Sequence, residues 1–364
     1  MKEKLEIKTI TCHNVYNAGA SLQAYALSAY LSRLGHNVEI INYIPDYLQH
    51  YELWGVRNPK YDKPILREIY NILKLPGRIK DRFSQRKRAY DDFTSKYLPL
   101  SSEIYDSNDE LKKAGLYADV FFTGSDQIWN TIFPNGKDPA FYLDFAPLNA
   151  VRASYAASFA TNDIKSDYRD KVSSWIKNLD FVSVRESSAL DILKNFGITD
   201  SFHVVDPVFL LTKEEWESLL TKNRPEDKYL MLYDFDNNDE INKKAIEIAN
   251  SNGWKIYSVF PNKICDKSFF NSGPLEFIEL IKNSEMVLSN SFHAVAFSVL
   301  FNKQFIVFDR KENINTRMSD LLNKLEIHMN GQIIDYGKTN LILQEWVTSS
   351  KKYIDKVLNS ARKK

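Results

Sequence analysis

The feature that most constrains the fold is the regular alternation of strand-like and helix-like segments along the whole chain. In the first half, a predicted helix at 20–34 accompanies predicted strands at 5–11, 38–43, 119–123, 152–156, 181–185 and 202–205. In the second half, strands are predicted at 229–233, 254–259, 286–288 and 304–308, and helices at 240–250, 275–283 and 292–301. Short apolar strands that alternate with amphipathic helices favour parallel sheets with crossover helices.

This pattern predicts an α/β protein with two Rossmann-like domains that face each other across a cleft. The length of 364 residues fits two domains better than one small core. We place the first domain at 1–215 and the second at 226–340, with a connection in 206–225. Helix-like residues 339–358 predict a closing helix, which makes up most of the C-terminal segment 341–364.

Charge and cysteine content exclude several classes of protein. The net charge of +1 gives no general nucleic-acid-binding surface, so we expect no nucleic-acid partner. The start MKEKLEIKTI lacks the apolar core of a secretory signal, and no apolar run approaches the ~20 residues that span a bilayer, which favours a cytoplasmic location. The only thiols, Cys12 and Cys265, exclude a disulfide framework and a multi-cysteine metal site, and we expect both to pack as small residues.

One segment departs from the near-neutral charge of the chain. Between Arg57 and Arg88 there are eleven Lys or Arg residues against three Asp or Glu residues, interleaved with apolar side chains, and we assign 57–90 to a basic helical insertion. A solvated helical insertion is one interpretation. The other is a basic amphipathic surface for peripheral contact with an anionic membrane, at the inner face of the plasma membrane, or with a lipid diphosphate.

The most informative local motif is EMVLSNSFHAVAFSVLF, in which a buried strand leads into an apolar helix. Ser289, Asn290 and Ser291 form the predicted turn and N-cap, so His293 lies in the first helical turn. Unpaired N–H groups there favour a bound anion, which in turn favours a protonated imidazole and makes His293 a candidate proton donor. The alternative is a core histidine whose ring nitrogens bond to neighbours.

Two other strand-to-helix turns carry polar groups. The first, HNVYNAGASLQAYAL, presents Asn17 and Gly19, and its small residues suit close approach of an anion. It is not GxGxxG, so a dinucleotide site has little support. The second, FFTGSDQIWN, presents Ser125, Asp126 and Gln127 after an apolar strand. Asp126 is either a base for a sugar hydroxyl, with Ser125 and Gln127 orienting it, or an Asx-type cap.

Two arginines are candidate anion ligands. Arg185 stands at the end of an apolar strand in FVSVRES, and its planar guanidinium suits two-point binding of phosphate or carboxylate. The alternative for Arg185 is a structural ion pair with Glu186 or another acid. Arg317, in NTRMSDLL, is a candidate for the same cleft as His293.

The acidic loop YDFDNND offers Asp234, Asp236 and Asp239, which either hold a divalent cation or form a turn. No P-loop, HExxH or GxSxG pattern occurs in the sequence. The routes to phosphoryl transfer, zinc proteolysis and serine hydrolysis that these motifs represent therefore lack support.

Taken in order, the segments NAGASLQAYAL, GSDQIWN, SVRES, VVDPVFLL and SNSFHAVAFSVLFNKQF resemble the polysaccharide pyruvyl transferase family, from about Asn14 to Leu325. The resemblance implies two Rossmann-like domains similar to those of GT-B glycosyltransferases. It also implies that the pyruvyl group of phosphoenolpyruvate moves to two hydroxyls of a sugar, forming a pyruvate ketal during capsular or surface polysaccharide biosynthesis. The donor is a substrate, and no cofactor or metal is implied.

By the same resemblance, Arg185 contacts the donor and His293 is catalytic or binds phosphate. Many members of the family carry an arginine two residues before this histidine, where the present chain has Ser291. A second anion ligand must then come from elsewhere in the chain. The candidates are Lys303, Arg310 and Arg317.

Ketal formation sets clear chemical demands. Adding an enol ether to an alcohol needs a proton at the methylene carbon, stabilisation of the cation at the neighbouring carbon, and removal of a hydroxyl proton. We assign catalysis to His293 and Asp126. The residues assigned to substrate binding are Arg185, Asn17, Gly19, Ser125, Gln127, Asn290, Ser291 and Arg317.

The sequence leaves the acceptor unidentified and allows two alternative functions. The basic segment is compatible with a sugar acceptor carried on a lipid diphosphate. A GT-B glycosyltransferase would share the fold but consume a nucleotide sugar. A non-catalytic sugar-binding protein would bind neither donor and release no phosphate.

Overall fold

A computed structural model describes residues 4–48, 64–221, 225–311, 315–328 and 333–363. The strands in these ranges are β1 (Glu6–Ile10), β2 (Asn37–Tyr43), β3 (Leu100–Tyr105), β4 (Val120–Thr123), β5 (Val151–Ser154), β6 (Val182–Val184), β7 (Ser201–His203), β8 (Tyr229–Tyr233), β9 (Lys255–Ser258), β10 (Lys267–Ser268), β11 (Met286–Ser289) and β12 (Gln304–Val307). The helices are α1 (Ala18–Arg33), α2 (Pro64–Arg82), α3 (Gln85–Tyr97), α4 (Asn108–Ala114), α5 (Ser166–Lys177), α6 (Ser187–Asn195), α7 (Lys213–Glu217), α8 (Asp239–Asn252), α9 (Pro274–Asn283), α10 (Phe292–Leu300), α11 (Thr316–Lys324) and α12 (Tyr336–Ala361).

The strands form two five-stranded parallel sheets, which confirms the predicted α/β class. Their orders are β3-β2-β1-β4-β5 and β10-β9-β8-β11-β12. The pair β6-β7 continues the first sheet through a parallel bridge between Ala153 and Phe181. The sequence pattern does not predict the edge strands β3 and β10, because their exposed polar residues give no apolar run.

Local sequence sets both ends of helix α1. The Asn17 side chain accepts a hydrogen bond from Ala20 N at 3.3 Å and caps the first turn. Gly35, with a φ of 94°, provides the left-handed backbone that ends the helix after Leu34. The helix therefore lies close to the predicted 20–34, and its N-terminus is fixed at the carboxyl edge of the first sheet.

Trp216 joins helices that belong to the two sheets. Its buried ring lies 5.6 Å from the Tyr25 ring of α1 and 5.1 Å from the Phe297 ring of α10, centroid to centroid. Its Nε1 donates a hydrogen bond to Val208 O at 2.9 Å. Residues 206–225 therefore include buried core residues and are more than the simple connection that the sequence predicts.

The C-terminal helix α12 returns to the first sheet although it follows the second in sequence. Tyr353 Oη donates a hydrogen bond to Ser154 O of β5 at 2.8 Å, and Ser350 Oγ accepts one from Val205 N at 2.9 Å. The helix is longer at both ends than the predicted 339–358. It closes the fold by covering the first sheet.

Part of the basic insertion, 57–63, lies outside the described residues. The remainder forms α2 and the start of α3. Within the ranges given above, the structure contains no helix whose length and apolar content would allow it to cross a bilayer.

We expect Trp216→Ala to lower the free energy of unfolding by about 3–5 kcal/mol, because it leaves a cavity between α1 and α10 and removes the bond to Val208 O. Urea unfolding followed by circular dichroism measures this change. Leu148→Ala is the matched control, since Leu148 is exposed and should change stability by less than about 0.5 kcal/mol. Equal losses in the two variants would contradict the assigned role of Trp216.

Candidate active site

A cavity of about 260 Å³ lies where the carboxyl ends of the two sheets face each other. Ligands commonly bind in such crevices of open parallel sheets. The lining side chains come from both halves of the chain. They are Asn17, Asp126, Gln127, Phe133, Phe235, Asn290, Ser291, Phe292, His293, Phe308, Arg310, Asn315, Arg317 and Met318.

His293 lies in the first turn of α10 and lines this cavity, as the motif predicts. Its Nε2 is 3.6 Å from Asp206 Oδ2. The other side of the ring lies against Gly19 of α1, where an added Cβ would be 2.0 Å from His293 Nδ1. Gly19 is therefore the residue that leaves room for the imidazole, and the ring is held between two elements of the first half while it faces the cavity.

Asp206 is a buried carboxylate that the sequence prediction leaves out. Its Oδ2 accepts a hydrogen bond from Arg185 Nη1 at 2.6 Å, and its Oδ1 accepts one from Val208 N at 3.1 Å. Burial alone would raise the pKa of Asp206, but the charges of His293 and Arg185 outweigh burial and hold that pKa well below its usual value. The sequence signal is an aspartate that directly follows the predicted strand 202–205.

Arg185 lies behind the cavity wall, at the end of β6. Its Nη2 donates a hydrogen bond to Asp126 Oδ1 at 3.1 Å, and its guanidinium carbon is 4.6 Å from the centroid of the Phe292 ring. Arg185 therefore forms structural ion pairs with Asp206 and Asp126, as the second interpretation of this arginine predicts, although the acids are not Glu186. Glu186 instead accepts hydrogen bonds from two backbone N–H groups of the neighbouring loop.

Asp126 reaches the cavity and joins two arginines. Arg317 Nη1 donates to Asp126 Oδ1 at 3.1 Å, beside the bond from Arg185. Burial would raise the pKa of Asp126, but the charges of Arg185, Arg317 and His293 lower it. Burial and the like charge of Arg185 lower the pKa of Arg317 to about 10. Asp126 is thus an ionised carboxylate and a weak base.

Two of the three candidate replacements for the missing arginine line the cavity. Arg310 and Arg317 are in its wall, whereas Lys303 Nζ donates to Ser284 O at 2.8 Å, outside the lining. Arg310 Nε lies 3.2 Å from Asp236 Oδ2. The cationic groups in the wall therefore come from a segment after His293 rather than from the position of Ser291.

The loop that carries Asp126 divides its polar residues between structure and cavity. Ser125 is buried, and its Oγ donates to Ala156 O at 2.7 Å. Its backbone N–H donates to Gln23 Oε1 at 3.0 Å, so Ser125 positions the loop rather than a ligand. Gln127 lines the cavity, where its Oε1 accepts a hydrogen bond from Asn130 Nδ2 at 2.9 Å.

The N-terminus of α10 opens into the cavity. Ser291 is the N-cap residue, but its side chain accepts no capping hydrogen bond, so the first-turn N–H groups are left for another acceptor.

The acidic loop YDFDNND is held by hydrogen bonds to Asp234. Asn290 Nδ2 donates to Asp234 Oδ1 at 2.6 Å, and two backbone N–H groups of the loop also donate to the Asp234 carboxylate. These contacts are those of a turn, which is one of the two interpretations that the sequence allows for this loop.

An aromatic wall completes the cavity and is absent from the sequence prediction. Phe235 and Phe308 lie in loops just after β8 and β12, and Phe133 lies just before a 3₁₀ turn, so no periodic pattern marks them.

Neither Cys12 nor Cys265 is among the residues that line the cavity. Burial, followed by the charge of Asp126, raises the pKa of the Cys12 thiol well above its usual value, and Cys265 Sγ donates to Asn262 O at 2.9 Å.

Solved structures confirm the GT-B-like class of the fold. A structure assigned as UDP-N-acetylglucosamine 2-epimerase from Listeria monocytogenes superposes with a TM-score of 0.55 at 10% identity, covering 98% of this chain and 90% of the other. Another UDP-N-acetylglucosamine 2-epimerase superposes with a TM-score of 0.53 at 11% identity, covering 100% of this chain and 97% of the other. A UDP complex of MnaA from S. aureus superposes with a TM-score of 0.51 at 11% identity, covering 93% of this chain and 95% of the other. At such identities the likeness concerns the fold alone.

The family follows from the sequence profile. The profile of polysaccharide pyruvyl transferase matches residues 17–312, which is most of the chain. No curated protein sequence matches. The chain belongs to the polysaccharide pyruvyl transferase family, which confirms the resemblance drawn from the motifs and supports a transferase that acts in polysaccharide biosynthesis.

We expect Gly19→Ala to displace the His293 imidazole, because the added methyl group would overlap Nδ1. Overpacking of this kind costs about 1–3 kcal/mol of unfolding free energy. NMR of the histidine side chains, with His293 assigned by its loss in His293→Gln, measures the displacement. Gly77→Ala is the control, since a Cβ at Gly77 meets nothing within 4 Å. An unchanged His293 resonance in Gly19→Ala would contradict the contact.

We expect Asp206→Asn to cost about 3–5 kcal/mol of unfolding free energy at pH 7, because it removes a partner from a buried ion pair. The depressed pKa of Asp206 gives stability that is present above the unfolded value of about 3.9 and lost as pH falls toward the folded value. The difference in unfolding free energy between Asp206→Asn and the wild-type protein should therefore become smaller as the pH falls. Urea unfolding at several pH values measures it.

The control for this series is Asp200→Asn. Asp200 is an exposed carboxylate 3.6 Å from Lys356 Nζ, and its loss should cost less than about 1 kcal/mol. A penalty for Asp206→Asn that stays constant between neutral and acidic pH would contradict the assigned charge of Asp206.

Proposed function

We propose that this protein transfers the pyruvyl group of phosphoenolpyruvate to two hydroxyls of a sugar, forming a pyruvate ketal in capsular or exopolysaccharide biosynthesis. Family membership supports a transferase of this kind. The observation that carries the choice of donor is the convergence of His293, Arg310 and Arg317 with the uncapped N-terminus of α10 on one small cavity. Such a site suits a compact metabolite with two anionic groups.

The reaction begins with protonation of the donor. A proton is added to the methylene carbon of the enol, and a cation develops at the neighbouring carbon, which one sugar hydroxyl then attacks. The C–O bond to phosphate breaks next, phosphate leaves with its bonding electrons, and the second hydroxyl closes the ketal. Both hydroxyl protons pass to bases, and the chemistry needs no metal.

His293 is the proton donor in this scheme. Its Nε2 lies 3.6 Å from the buried carboxylate of Asp206, and its ring faces the cavity that would hold the anionic donor. Arg310 and Arg317 take the place of the arginine that the family pattern has at Ser291. Arg185 lies behind the cavity wall, where its ion pairs hold Asp206 and Asp126 in position.

Asp126 is the candidate base in the cavity. Its depressed pKa keeps it ionised at neutral pH, and its lowered basicity matches a step in which the hydroxyl proton leaves only after attack has begun. The aromatic wall of Phe133, Phe235 and Phe308 gives a sugar ring an apolar face to pack against.

A nucleotide sugar is the competing donor. Structures that share this fold include epimerases of UDP-N-acetylglucosamine, and the aromatic wall could also stack a base. Thermal shift measurements separate the two classes, because a ligand that binds only the folded protein raises Tm. Stabilisation by phosphoenolpyruvate supports the proposal, whereas stabilisation by a nucleotide sugar alone favours a glycosyltransferase. Stabilisation by neither favours a non-catalytic sugar-binding protein.

We expect mass spectrometry of candidate acceptors, after incubation with phosphoenolpyruvate, to detect a pyruvate adduct together with free phosphate. His293→Gln should lower turnover by about 10²–10⁴-fold, since it removes the general acid. His328→Gln is the matched control, because His328 is exposed and lies outside the cavity wall.

Circular dichroism and Tm establish that both histidine variants fold. Near-normal turnover by His293→Gln would refute its role as the acid. Absence of any adduct with a broad acceptor panel, while phosphoenolpyruvate still raises Tm, would point to an acceptor outside the panel. Absence of both signals would contradict the donor.

A further inference from the structure

Helix α2 presents an apolar face to solvent. The side chains of Ile69, Ile72, Leu73 and Ile79 are exposed, as is that of Phe83 just after the helix, with exposures of 57% for Ile72, 74% for Leu73 and 65% for Phe83. At 100° per residue these five positions fall within one arc of about 120°. Exposed contiguous apolar surface of this kind marks a site of interaction rather than chance exposure.

The opposite side of the helix is polar. Asn71 lies there and is buried, while Lys74 and Arg82 are exposed. An apolar stripe on one side and basic side chains on the other describe a helix that lies in the interface of a bilayer, with its cations near the lipid headgroups.

Charge distinguishes a lipid surface from a second copy of the chain. The segment 57–88 has eleven Lys or Arg residues against three Asp or Glu residues in a protein of net charge +1, so the remainder of the chain is net negative. Two copies that met through this helix would bring like charges together. Anionic lipid headgroups are complementary to it.

The apolar face is connected to the cavity by a short path. Helix α3 begins at Gln85, two residues after Phe83. The buried Arg86 in its first turn donates hydrogen bonds to Tyr16 O at 2.8 Å and to Phe270 O at 3.1 Å. Tyr16 precedes Asn17, which lines the cavity. Arg86 and Tyr16 therefore connect the start of α3 to the cavity wall through successive contacts.

We propose that α2 and Phe83 form a binding site for an anionic membrane surface. The side chains of Ile69, Ile72, Leu73, Ile79 and Phe83 enter the boundary between headgroups and acyl chains, and the basic residues pair with anionic headgroups. This site does not depend on the pyruvyl chemistry. One consequence does rest on the proposed function, namely that the acceptor sugar is carried on a membrane lipid, such as a lipid diphosphate.

Cosedimentation with vesicles tests the site without any donor or acceptor. The full-length protein should sediment with vesicles of phosphatidylcholine mixed with phosphatidylglycerol, and binding to pure phosphatidylcholine should be weaker by about tenfold or more. Leu73→Asp and Ile72→Asp should each weaken binding to the anionic vesicles by about tenfold or more, because a carboxylate replaces an apolar group that enters the membrane and is repelled by the headgroup charge.

Leu148→Asp is the matched control, since it places the same charge on an exposed leucine elsewhere and should leave vesicle binding unchanged. Circular dichroism establishes that the variants fold. Failure of the wild-type protein to sediment with anionic vesicles, or equal binding by Leu73→Asp and Leu148→Asp, overturns the proposal. A wild-type dimer in size-exclusion chromatography that Leu73→Asp dissociates would also overturn it, in favour of a contact between copies. None of these results bears on whether phosphoenolpyruvate is the donor.

Discussion

A buried carboxylate connects the two halves of the molecule. Asp206 bonds to Arg185 at the end of the first sheet and lies beside His293 at the start of α10 in the second. Buried ion pairs add little net stability, but breaking one is costly, so their main effect is to fix geometry. The pair between Asp126 and Arg317 adds a second link of the same kind. Both links cross between the two sheet edges that border the cavity.

The sequence predicts most of the sheet framework because its signals are local. The strand 229–233 has the bounds of β8, and His293 lies in the helical turn that its motif predicts. Parallel pairing then brings the carboxyl ends of the strands in each sheet to one edge of that sheet. Asp126 follows β4 of the first sheet and His293 follows β11 of the second, so both line one cavity because these two edges face each other.

The remaining features depend on tertiary placement. Lys303, Arg310 and Arg317 are alike as cations in the sequence, and only the fold puts two of them in the cavity wall. Arg185 follows its strand as predicted, yet whether it meets carboxylates or solvent depends on Asp206, which is 21 residues away. The three phenylalanines of the wall lack periodicity, and Gly19 shows its importance only when the His293 ring is placed above it.

The contact between Gly19 and His293 links chemistry to the relative position of the lobes. The imidazole belongs to the second lobe, and both groups that confine it, Gly19 and Asp206, belong to the first. A hinge motion that widened the cleft would free the ring on both sides at once and separate it from its carboxylate. The position of the proposed proton donor is therefore set by how the two lobes sit against each other, because neither lobe alone holds the ring.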